Sequence, residues 1–201
     1  MRRRTFDALA TVAGLILAAV LLVAGVLLTW GHSFVNNEVA SQLSAQKIEF
    51  PTTTNPGFKA LPKPDQAAMS KYAGQLMTNG AQAETYADHF MAVHLREIGG
   101  GKTYSQLSAE ALALPSTSKQ YAALEAQVQT VFRGDTLRSM LLNAYGFWKM
   151  GQIAFIAAIV SYAAAGLMLI LSFLGFVHLR RTAPEAEILP TVATRVQVNA
   201  S

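Results

Sequence analysis

Four side chains in one short stretch, Asp88, His89, His94 and Glu97, are of types that could ligate a metal. Imidazoles with a carboxylate make the donor set of zinc or non-haem iron. Their spacing argues against a shared ion. His89 and His94 are five positions apart, about 140° around a helix, whereas ligands four apart share a face. Glu84 or Asp88 could join from the same helix, and His94 with Glu97 has the spacing of an ion pair. The favoured reading is a solvated polar face, so no metal or other cofactor is expected.

A second candidate, Gly101-Lys102-Thr103, ends as a phosphate-binding loop ends, with backbone amides and a lysine to hold phosphates. That template needs a glycine where Arg96 stands and a strand where the pattern reads helix. A glycine hinge followed by a helix cap is the better reading. No nucleophile stands beside a recognisable base, and Ser105 and Ser108 read as helix-start residues. The sequence therefore predicts a chain that is not an enzyme.

The elements that carry these residues are set by lipid. Hydrophobic residues make up 52% of the 201-residue chain and charged residues only 14%, too apolar for a soluble domain of this size. Residues 8–30 contain no charge, and as a helix they rise about 35 Å against a hydrocarbon core of about 30 Å. A second uncharged run, residues 150–177, is long enough to tilt or project. Cysteine is absent, so no disulfide or thiolate chemistry arises.

Charge sets the expected orientation. Arg2, Arg3 and Arg4 precede the first run and Arg180 and Arg181 follow the second, while the ten basic and nine acidic residues between the runs nearly cancel. Positive flanks stay in the cytoplasm. The fold class predicted is an all-α membrane protein, with two transmembrane helices flanking an extracytoplasmic helical domain. Its parts are a cytoplasmic N-terminus (1–7), spans at 8–30 and 150–177, an outer domain (31–149), and a flexible cytoplasmic tail (178–201). The plasma membrane is the expected location, and no nucleic-acid partner is expected. An uncleaved anchor is preferred to a signal peptide, because the first run is longer than a signal core and no small-x-small site follows it.

Trp30, Phe34, Tyr145, Phe147 and Trp148 should form an aromatic belt at the outer interface. Small residues recur at every fourth position, as Ala10, Gly14 and Ala18 and as Ala157, Ser161 and Ala165. Such stripes let helices approach closely in lipid, so Gly14, Ala18, Ala157, Ser161 and Ala165 are the expected packing residues. No carboxylate, Arg or His lies within the spans, which argues against a transporter or channel acting alone.

Between the spans the pattern predicts a short helix at 36–48, a brief extended segment at 47–50, and a loop where Pro51, Pro56, Pro62 and Pro64 cluster. A helix capped by Asp65 should run towards Asn79 and end at Gly80, and another should span 81–98 and stop at Gly99-Gly100-Gly101. Capping boxes are read at Thr103 with Gln106 and at Thr117 with Gln120. Tyr121, Leu124, Val128, Val131 and Phe132 form a helical stripe, and Gly134-Asp135 is read as a kink.

Three segments, MRRRTFDALATVAGLILA, EIGGGKTYSQLSAE and FRGDTLRSMLLNAYGFWKMGQIA, resemble a family of small two-span membrane proteins from actinobacteria. The resemblance implies lineage and topology and brings no residue roles. Some such proteins carry an aromatic ring-opening dioxygenase label, an activity that needs iron held by two His and one carboxylate. The nearest such set here is His89, His94 and Glu97, at the unfavourable spacing above.

The function expected is that of a structural or accessory partner of a membrane or envelope protein complex, through another protein or self-association. Alternatives are a membrane-anchored ligand sensor and, more weakly, a metal-dependent enzyme.

Overall fold

No proline interrupts the chain before Pro51 or between Pro115 and Pro184, and these two stretches hold the longest helices. The computed structural model describes residues 3–181. It is mostly helical, and strand is absent among the described residues. Helix α1 spans Arg3–Ala45 and α7 spans Lys119–Arg181. Each contains a run long and apolar enough to cross a membrane. The short helix expected at 36–48 is thus the end of α1, which stops in a turn where Lys47 takes a left-handed φ of 53°.

Five shorter helices lie between. They are α2 (Pro56–Ala60), α3 (Lys63–Ser70), α4 (Gly80–Tyr86), α5 (Ala92–Ile98) and α6 (Tyr104–Leu112), with a single π-helical turn at Ala87–Met91 joining α4 to α5. The chain divides into two compact units, one of Met1–Thr29 with Phe155–Ser201, the other Trp30–Ala154.

In the first unit, α1 and α7 run antiparallel, with Thr11 opposite Gly175, Gly14 opposite Ser172 and Gly25 against the Tyr162 ring. The shielded residues of α1 alternate steps of four and three through Asp7, Thr11, Gly14, Ala18, Leu21 and Gly25. Those of α7 do the same through Ala158, Ser161, Ala165, Met168, Ser172 and Gly175. This is the 3.5-residue period of two helices wound into a left-handed pair, not the four-residue stripe expected. Ala10 consequently turns outward, and Ala157 is half-buried beside a buried Ala158. The remaining faces stay apolar and outward, Ile16 and Leu27 each being 61% exposed.

In the second unit, Phe50, Phe58, Met69, Met77, Ala83, Ala87 and Leu141 are buried together. Leu107, Ala111, Val128 and Val131 form a smaller cluster under Tyr121 and Leu124. Phe132 leaves that stripe and is tilted against Tyr104 at 5.4 Å.

Several boundaries differ from expectation for local reasons. The proline-rich loop holds α2 and α3, because Pro56 and Pro64 fall in first turns where a missing N–H costs nothing. Asn55 Oδ1 caps α2 by accepting from the Gly57 amide at 2.8 Å. Asp65 pairs with a histidine instead of capping, and α3 ends at Ser70. Asn79 and Gly80 begin a helix and do not end one. The Asn79 side chain caps α4 in a capping box with Gln82. The Thr103–Gln106 box is present as expected. The next cap is one residue late, since Ser118 Oγ, not Thr117, accepts from the Tyr121 amide at 3.0 Å. The chain at 48–50 is extended and bonds to 74–77, though only as an isolated bridge between Glu49 and Leu76.

Gly134 marks no break. Helix α7 continues through it, since one glycine costs a helix only about 1 kcal/mol. Here the missing Cβ gives Leu95 room to pack.

Candidate functional site

The second unit contains a groove of about 960 Å³. Helix α1 contributes Phe34, Val39 and Leu43, the π-turn region contributes Tyr86, Phe90 and Met91, and α7 contributes Met140, Leu141 and Phe147. Polar lining is sparse: Glu38, Gln42, Gln46, His94 and Asn143. The size and lining are those of an apolar ligand site.

The π-turn shapes one wall. In a π-turn the backbone bond runs to the fifth residue, and here the Ala92 amide donates to the Ala87 carbonyl. That carbonyl also accepts from Arg138 Nε at 3.1 Å, while Arg138 Nη2 donates to Asp88 Oδ1 at 2.6 Å. One guanidinium on α7 thereby holds the turn at two points. Tyr86, Phe90 and His94 line this wall in a row, each ring tilted against the next, with centroids 4.9 and 4.4 Å apart. Burial among these rings pushes the Tyr86 phenol above its ordinary value of 10.0, because the phenolate would lose its water.

The metal-ligand candidates are dispersed. His89 Nδ1 lies 2.7 Å from Asp65 Oδ1. His94 Nδ1 donates to the Phe90 carbonyl at 2.8 Å, and Asp88 is held by Arg138. Among the described residues no group of three or more His, Asp or Glu is placed to hold a metal. Lys102 does not face a phosphate cradle: its Nζ donates to Glu110 Oε2 at 2.7 Å. Gly101, at φ 81°, serves as a turn.

The belt residues separate by role. Trp30 and Phe34 are exposed and stacked at 5.7 Å. Phe147 is exposed in the groove, whereas Trp148 packs against the buried core with Tyr145 stacked on it at 6.2 Å. Trp148 is therefore part of the core packing, held where Gly80 leaves space.

In the first unit, Gly14 abuts Ser172, and Ala18 and Ala165 are fully buried. Ala157 and Ser161 are half-buried. The four-residue reading passed over a polar cluster at one end of this pair. Thr11 Oγ1 donates to the Asp7 carbonyl at 2.8 Å. Asp7 Oδ2 lies 3.8 Å from His178 Nε2, beyond hydrogen-bond range. Asp65–His89 and Arg138–Asp88 were also missed, because their partners lie 24 and 50 residues apart. The chain matches no protein-family model, no curated protein and no solved structure.

Proposed function

We propose that this protein is a non-enzymatic two-span protein of the plasma membrane, an accessory partner of a membrane or envelope protein complex. In this reading both termini are cytoplasmic and residues 31–149 are outside. The arginine flanks at Arg2–Arg4 and Arg180–Arg181 support that orientation. Two apolar helices whose outward faces suit lipid support the membrane location, as does the resemblance to two-span actinobacterial proteins.

The observation that carries the non-enzymatic reading is the occupation of the reactive side chains by structural partners. Asp65 holds His89, Arg138 holds Asp88, and Glu110 holds Lys102. Such side chains position backbone and helices. Crosslinking in native membranes followed by affinity purification should recover one consistent membrane or envelope partner, or a defined self-assembly. A solitary monodisperse chain in mild detergent would overturn the accessory role.

A second reading, a membrane-anchored ligand sensor, is favoured by the groove alone.

A further inference from the structure

The groove is more apolar than an aqueous site of its size needs to be, and its position along the chain is specific. Counted along α1, Phe34 is four residues past Trp30, and on α7 Phe147 is three residues before Met150, where the second uncharged run begins. The walls are thus the continuations of the two candidate spans. From Phe34 to the end of α1 at Ala45 the helix rises about 17 Å, the scale of a hydrocarbon tail and not of a small polar metabolite.

Among the described residues no lysine or arginine lines the groove, so it offers no permanent cation to a phosphate or carboxylate head. Recognition would have to be of an apolar body. Met91 and Met140, unbranched and polarizable, suit an irregular apolar occupant. Met140 and Leu137 are 63% and 57% exposed, which leaves an apolar edge on α7 for the occupant to cover. The π-turn at Ala87–Met91 is an independent sign, since such turns often mark functional sites.

We propose that this groove takes one acyl chain of a bilayer lipid, entering between Phe34 and Phe147 with its head group left at the membrane surface. The inference rests on α1 and α7 crossing a bilayer. It deepens the sensor reading and is compatible with the accessory one, where lipid would order the face shown to a partner.

The test uses the full chain in phosphatidylcholine vesicles containing a phosphatidylcholine with a diazirine near the end of one acyl chain. After photolysis, adducts are mapped by mass spectrometry. Adducts should appear on Phe90, Met91 and Met140 as well as on the spans. Met140→Glu, at an exposed position, should cut groove adducts by about tenfold, the equivalent of about 1.4 kcal/mol, and leave span adducts unchanged. Ala144→Trp, which fills the groove, should do the same. Span adducts without groove adducts, groove adducts indifferent to Met140→Glu, or a groove occupied by a second copy of the chain would each overturn the proposal while leaving the membrane reading intact. Absence of adducts on the spans would overturn both.

Discussion

Gly80, the first residue of α4, lies so close under Trp148 of α7 that a Cβ placed on it would come within 2.7 Å of Trp148 Cγ and closer still to Trp148 Cβ. Both residues belong to the second unit, where Gly80 is buried and Trp148 packs against the main core. This is a close approach that only a missing side chain permits.

Gly80→Ala should therefore destabilise the protein by about 1–3 kcal/mol, the usual cost of overpacking a filled core. Gly146→Ala is the contrast. Nothing lies within 4 Å of its added methyl, and replacing an interior helical glycine should be neutral or stabilise by up to about 1 kcal/mol. Thermal unfolding in detergent, followed by circular dichroism, separates the two. Equal effects would contradict the packing described.

The register of the helix pair can be read chemically, because the chain has no cysteine of its own. A Cβ at Gly14 would lie 3.7 Å from Ser172 Cβ, inside the range of about 3.5–4.5 Å that a disulfide spans. Gly14→Cys with Ser172→Cys should crosslink within one chain under mild oxidation. Ala13→Cys with Ser172→Cys should not, since Ala13 points away from the seam. Equal crosslinking of both pairs would refute the heptad register.

Tyr86 makes stability fall at alkaline pH. Its phenol is raised above 10.0 by burial, so the folded state keeps its proton where the unfolded chain has begun to lose it. The folded state then binds more protons, and stability decreases as pH rises. The contribution is complete below about pH 10 and is lost as pH climbs through the folded value. Tyr86→Phe keeps the ring and should flatten this alkaline decline, measured by unfolding at a series of pH values. A decline of the same slope in the variant would remove Tyr86 as its cause.

Features governed by local chemistry were legible in the sequence. An uncharged run long enough for a bilayer announces its helix whatever lies around it, and Thr103 with Gln106 makes its cap within four residues. The errors arose where one residue type serves two ends. Asn79-Gly80 suits a helix stop and a helix start equally, and the choice is made by Gln82 reaching back and by Trp148 requiring a bare Cα. Gly134 reads as a kink until Leu95, from another helix, is seen to fill the space. The groove was illegible because Phe34, Phe90 and Met140 meet from three separate stretches, and no spacing within any one of them records it. Ala, Gly and Ser in the seam satisfy four-residue and 3.5-residue patterns alike over a few turns, and the difference accumulates only along the whole pair.

The pairing of Thr29 with Tyr162, whose hydroxyls lie 3.2 Å apart across 133 residues of sequence, has a consequence for synthesis. At about 5–20 residues per second, the partner of α1 emerges on the order of ten seconds after it. In the membrane-spanning reading proposed above, the first span spends that interval in lipid with its future seam uncovered. Its threonines are equipped to wait: Thr11 donates to the Asp7 carbonyl and Thr29 to the Gly25 carbonyl, each at 2.8 Å and each within its own helix. The nascent span brings its own hydrogen-bond acceptors, and α7 on arrival adds its packing and the Tyr162 hydroxyl beside Thr29.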